Sequence, residues 1–146
     1  MDITIRDAKP GDAPAIVSLI REMAHEDGES TPITETCAAQ YFDAPGSAML
    51  IAEANGQAAG LLSYSLRPNL YHAAPACLVE LLFIRGDARS QGAGGALVTA
   101  LLARAAARRW TEISVSVMPD NAGAIRFYRK LGLTEEAVFL EKHFHS

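Results

Sequence analysis

Residues 77–96 read Cys-Leu-Val-Glu-Leu-Leu-Phe-Ile-Arg-Gly-Asp-Ala-Arg-Ser-Gln-Gly-Ala-Gly-Gly-Ala. Cys77 to Ile84 is an apolar run without alternation, which predicts a strand covered on both faces. The glycine-rich stretch Arg85 to Gly95 follows at once. Leu97, Val98, Leu101, Leu102 and Ala105 then recur at helical spacing on one inner face. Glycines let main-chain N–H groups approach a ligand without Cβ interference. The first N–H groups of a helix have no internal partner, and the helix dipole adds partial positive charge. Strand, glycine loop and helix together suit a pyrophosphate. A turn that serves only chain reversal is the alternative. A dinucleotide fingerprint would place its third glycine where Leu97 stands, and a nucleoside-triphosphate loop would need a lysine that this loop lacks.

Ile3 to Arg6 predicts a short strand. Asp12 can cap a helix that aligns Ala13, Ile16, Val17, Ile20, Met23 and Ala24. Thr34 to about Phe42 predicts a second short helix, closed by Pro45-Gly46. Met49–Ala54 and Ala58–Leu66 flank Asn55-Gly56-Gln57, a hairpin signal, and Arg67 to Pro75 is expected as a loop. Ile113 to Val117 predicts a buried strand, and Asp120 to Leu131 a helix stopped by Gly132. Thr134 to Phe144 supplies a last extended segment. Hairpin-paired strands followed by alternating strands and helices argue for an α/β domain with a mixed sheet.

Composition narrows the classes of function. At 146 residues the chain is expected as one domain, residues 1–146. Hydrophobic residues make up 49% and charged residues 21%, the balance of a globular protein. No apolar run approaches the ~20 residues of a membrane span, and Met1 to Asp7 lacks a signal core. The formal charge of -4 and the absence of a basic block argue against nucleic acid, with only Arg104, Arg108 and Arg109 as a basic group. Cys37 and Cys77 stand far apart with no partner at metal-ligand spacing, so no metal and no disulfide is expected and a cytoplasmic setting fits. His143 and His145 receive no role.

Ile84-x-x-x-x-Arg89-x-x-Gly92-x-Gly94 resembles the coenzyme A signature of the GNAT superfamily of N-acetyltransferases. Asn121, the Phe127-Tyr128 pair and the turn Leu131-Gly132-Leu133 resemble its second signature. The resemblance spans nearly the whole chain and implies a splayed central sheet covered by helices on both faces. It implies that Leu82, Phe83 and Ile84 bind the pantetheine arm of acetyl-CoA through main-chain groups. Arg89, Ser90, Gln91, Gly92, Ala93 and Gly94, with Gly95 and Ala96 behind them, would cradle the pyrophosphate. Asn121 and Phe127 would border the coenzyme arm, with Tyr128 close to the sulfur. The chain departs from the family at Arg85-Gly86-Asp87, which lacks a proline often found there and so bears on the turn shape.

Acetyl transfer needs a neutral amine, yet an alkyl amine of pKa ~10 is mostly protonated at neutral pH. A group must therefore take a proton as nitrogen attacks the thioester. Glu80 is the one ionisable side chain between Cys77 and Ile84, apart from the terminal thiol, and is the candidate base. Apolar surroundings would raise its pKa. It matches by position the glutamate of the diamine acetyltransferase branch, whose second acid is here Leu81. A structural carboxylate is the alternative. A strand N–H near Leu82 or Phe83 is the candidate oxyanion donor, and Tyr128 the candidate acid, against the reading of a core aromatic. Asn121 reads equally as a helix cap.

Glu22, Glu26, Asp27, Glu29 and Glu35 fall where the family forms its acceptor wall, with Tyr41, Tyr64, Tyr71 and His72 as further lining candidates. No cysteine lies in either signature, so direct attack in a ternary complex is expected. The acceptors, in order, are a small amine metabolite, an aminoglycoside-like or other xenobiotic amine, and a protein N-terminus or lysine. A protein acetyltransferase and a non-catalytic acyl-CoA sensor are the rival functions, and the resemblance allows a homodimer.

Overall fold

A computed structural model describes residues 2–144, so His145 lies outside it. In chain order the elements are β1 (Ile3–Asp7), α1 (Ala13–Glu26), α2 (Glu35–Gln40), β2 (Ser47–Ala54), β3 (Gln57–Asn69), β4 (Ala74–Ile84), α3 (Ala93–Arg108), β5 (Glu112–Val115) and α4 (Ala122–Lys130). Among the described residues the strands form one sheet in the order β1-β2-β3-β4-β5. The first four are antiparallel neighbours and β5 joins β4 in parallel. Helices cover both faces, as expected. Leu97, Val98 and Leu101 of α3 and Tyr128 of α4 pack with Leu50, Leu62, Cys77 and Val79 on one face. Ile16, Val17 and Leu19 of α1 and Ala38 of α2 pack with Met49, Leu61 and Phe83 on the other.

The β2–β3 turn is the two residues Asn55 and Gly56, both left-handed at φ 54° and 80°, as a hairpin that follows strand twist requires. Arg67 to Pro75 is not a loop: β3 runs to Asn69, β4 starts at Ala74, and Asn69 Oδ1 accepts the His72 N–H across the turn. Pro68 and Pro75 are the reason this stretch reads as a break. They face each other across the ladder, where a non-hydrogen-bonded rung tolerates two missing N–H groups. Asp12 occupies the position before α1 but does not cap it. Its carboxylate accepts from both Arg6 Nη atoms at 2.9 Å and from the Lys9 N–H at 2.8 Å. Hydrogen bonding to Arg6 holds this carboxyl below its ordinary range.

β5 is shorter than expected and ends at Val115. Thr134 to Phe144 forms no strand, and Val138 and Leu140 stand exposed. Gly132 at φ 106° follows the end of α4, and Arg129 ties the segment back to that helix through Glu136.

Two irregularities in β4 shape what lies beyond. Ser63 pairs with Leu81 and Tyr64 with Val79, so Glu80 is the extra residue of a β-bulge. The bulge reverses the facing of the strand: Val79 packs towards α3, Leu81 and Phe83 towards α1, and Leu82 and Ile84 towards α3 again. The β4–β5 ladder also stops at Val79–Val115, while β4 continues to Ile84. The sheet therefore divides at Glu80 and leaves residues 80–84 with a main-chain edge that β5 does not cover.

Candidate active site

The divided sheet points into the glycine loop. A 3-10 turn from Gly86 to Ala88 replaces the proline-shaped turn. Ser90 at φ 68° and Gly92 at φ 85° then coil the chain into α3. No side chain caps α3, and its first hydrogen bond runs from the Ala96 N–H to the Gly92 carbonyl. The N–H groups of Ala93, Gly94 and Gly95 are thus left without a helical partner. A Cβ at Gly95 would meet nothing within 4 Å, so the backbone there is open. A Cβ at Gly94 would lie 3.4 Å from the Phe127 ring, which brings α4 against the start of α3. Donors without a helical partner, with open space at Gly95, beside a strand edge that β5 does not cover, fit a diphosphate carried on an amide-bearing arm.

The loop's cations face α1. Arg89 Nε donates to the Ile84 carbonyl at 2.9 Å, its Nη2 pairs with Glu26, and its guanidinium lies 5.5 Å from the centre of the Phe83 ring. Arg85 Nε lies 3.8 Å from Glu22. Two of the five acids expected along the acceptor wall are thus partners of the loop arginines, leaving Asp27, Glu29 and Glu35 exposed.

Glu80 is exposed at the bulge and not enclosed by apolar side chains. Its Oε1 accepts from the Tyr41 hydroxyl at 3.1 Å. Burial and then the Glu80 charge push the Tyr41 phenol well above its ordinary value. The same two causes push the buried Cys77 thiol up to about 12. Tyr128 is buried among the residues under α3, with its ring 5.0 Å from Phe127, edge to face. Burial raises its pKa too. Asn121 caps α4, its Oδ1 accepting the Ala124 N–H at 3.1 Å.

Tyr64 is buried, and its hydroxyl accepts from Arg104 Nη1 at 2.9 Å. Tyr71 and His72 meet edge to face at the exposed β3–β4 turn. The contact between Tyr41 and Glu80 is the feature that sequence reasoning missed. The two are 39 residues apart, and only the strand order brings them together.

The model of the acetyltransferase (GNAT) family matches residues 14–133. The L-methionine sulfoximine/L-methionine sulfone acetyltransferase of Pseudomonas paraeruginosa is 29% identical over 140 residues, covering 90% of this chain and 80% of that protein. An aminoglycoside acetyltransferase from an uncultured soil metagenomic sample, solved with trehalose, superposes at a TM-score of 0.84 with 20% identity, covering 99% and 96% of the two chains. The ribosomal-protein-alanine N-acetyltransferase of Brucella melitensis reaches the same TM-score at 17% identity, covering 99% and 100%. These last two share the fold while their acceptors differ, so the fold alone does not select the acceptor.

Proposed function

The chain belongs to the GNAT family of acetyltransferases, and from that premise we propose that it moves the acetyl group of acetyl-CoA to a primary amine of a small molecule by direct attack in a ternary complex. The observation that carries this reading is a convergence at the end of β4. A main-chain edge that β5 leaves uncovered, an exposed carboxylate and an uncapped glycine-rich helix start occupy one short stretch of chain.

Bound acetyl-CoA supplies an activated thioester carbonyl. Residues 82–84 would hold the coenzyme arm through main-chain groups, and the N–H groups of residues 93–95 would meet its diphosphate. Glu80 would take the proton of the attacking amine at its carboxylate. A strand N–H of Leu82 or Phe83 would donate to the carbonyl oxygen as it gains charge. Tyr128 would face the sulfur as a hydrogen-bond donor. Its phenol lies above 10.0, whereas a thiol titrates near ~8.5. Complete proton transfer from Tyr128 is therefore uphill, and stabilisation by a hydrogen bond is the role its burial favours. Cys77 is buried with a thiol held protonated, which supports direct attack over an acetylated cysteine.

The acceptor class we favour is the amine of a small amino-acid-like compound, supported by the named substrates of the Pseudomonas relative. Release of free thiol from acetyl-CoA, followed with L-methionine sulfone, L-methionine sulfoximine and an aminoglycoside as acceptors, tests it. Turnover of one of the first two is expected, and turnover of none of the three removes the small-amine reading. With a working acceptor, Glu80→Gln should lower kcat by about 10²-fold or more while coenzyme A binds as before. The deficit should shrink at higher pH, where free amine becomes abundant. Native turnover in that variant would remove Glu80 as the base.

A further inference from the structure

Tyr41 lies in a single 3-10 turn, Tyr41–Asp43, that follows α2 and leads into β2. Its ring is half-buried and meets Phe42 edge to face at 5.5 Å. Its hydroxyl lies 3.1 Å from three oxygens: the carbonyls of Ala48 and Tyr64 and Oε1 of Glu80. Ala48 and Tyr64 face each other across the β2–β3 ladder, so the phenol oxygen is seated over one rung of the sheet. A phenol has a single proton to give. Of its three acceptors only the carboxylate carries charge, and a charge-assisted bond is roughly twice as strong as a neutral one. The proton therefore goes to Glu80.

That bond matters because of where Glu80 sits. As the extra residue of the bulge it has no cross-strand neighbour on β3, and it lies beyond the last β4–β5 pair. An exposed glutamate in that position has several rotamers open to it. The Tyr41 hydroxyl, anchored by the sheet, selects among them. We propose that Tyr41 is a positioning residue for acetyl transfer, its hydroxyl fixing the direction of the Glu80 carboxylate at the divide in the sheet. This rests on Glu80 being the base.

The three-oxygen seat suits a base that changes state. While Glu80 is ionised, Tyr41 donates to it. Once Glu80 has taken the amine proton, the phenol proton can turn to the Ala48 or Tyr64 carbonyl, and the phenol oxygen can accept from the carboxylic acid. Neither side chain has to move between the two states.

The test is a double-mutant cycle in the full chain with acetyl-CoA and L-methionine sulfone, or whichever acceptor in the panel is turned over. Tyr41→Phe keeps the ring and should lower kcat about tenfold, with coenzyme A affinity and acceptor KM within about twofold of native. In the Glu80→Gln background the same change should cost less than about twofold, because the group it positions is gone. An equal loss in both backgrounds, or native kcat in Tyr41→Phe alone, overturns the proposal. A native rate in Glu80→Gln removes the base and with it the purpose of Tyr41, an outcome the additive cycle does not mimic. A readout free of turnover and of the Tyr41 variant is the ¹³Cζ resonance of Tyr41, assigned among the four tyrosines. It should shift in Glu80→Gln at neutral pH, and an unmoved resonance would show that the bond does not form in solution.

Discussion

Gly60 lies opposite Ile84, at the end of β4 that flanks the divided edge. A Cβ there would stand 2.5 Å from Ile84 Cδ1 and 2.9 Å from the Phe83 carbonyl oxygen. The isoleucine methyl can swing aside, but the carbonyl belongs to the backbone and moves only with the strand. Gly60→Ala should therefore destabilise the fold by about 1–3 kcal/mol, the range for overpacking a filled site. Urea denaturation checks it, and an unchanged midpoint would mean that the strand end yields without strain. The side chains of the site read only in part from sequence. Glu80 stands out as the acid of an apolar strand, yet its exposure follows from a bulge that no residue in β4 announces. Asp12 looks like a helix cap because its spacing suits one, but Arg6 offers it a charged partner and wins.

The strands and helices themselves were largely legible, because periodicity reports burial and this sheet is buried on both faces. Thr34 caps α2 through the Cys37 N–H as its position suggests, and Asn55-Gly56 forms its turn. The misreadings arise where local signals meet tertiary demands, as with the facing prolines that extend the β3–β4 hairpin. At the start of α3 the glycines divide the labour. Gly94 lets Phe127 approach, whereas Gly95 borders open space. Gly95→Glu thus adds a negative charge where nothing need move, and an acid in the first turn of a helix is favoured by its dipole. The variant should melt as the native protein does yet bind coenzyme A at least about tenfold more weakly by calorimetry, through repulsion of the diphosphate. Undiminished affinity would place the phosphates elsewhere. Gly94→Glu is the poorer probe, since it also presses on Phe127.

For the whole molecule, three acids of the neutral type, two of them buried and one half-buried, share one direction of shift. Cys77, Tyr41 and Tyr128 all titrate higher in the folded chain than in the unfolded one, Cys77 at about 12 against 9.0. A group whose folded pKa is raised gives its full stability below the unfolded value and loses it as pH rises towards the folded one. Stability should therefore hold at neutral pH and fall from pH 9.0 upward, Cys77 leading. Cys77→Ala should be less stable at neutral pH, through the lost packing, but should decline less steeply when urea melts are repeated near about pH 10. Parallel declines in the two proteins would show that the thiol does not titrate on unfolding.

The uncovered edge of β4 also bears on how such a protein can diverge. Its N–H and C=O groups belong to every residue except proline, which lacks the donor. Substitutions along residues 80–84 can rewrite the side chains while leaving that edge intact, so a donor met by main chain survives drift. An acceptor met by side chains such as Glu80 has no such protection. Under the proposed function, lineages could therefore exchange one amine for another around a coenzyme seat held by main chain, and the partition of the sheet would separate what evolution may revise from what it must keep.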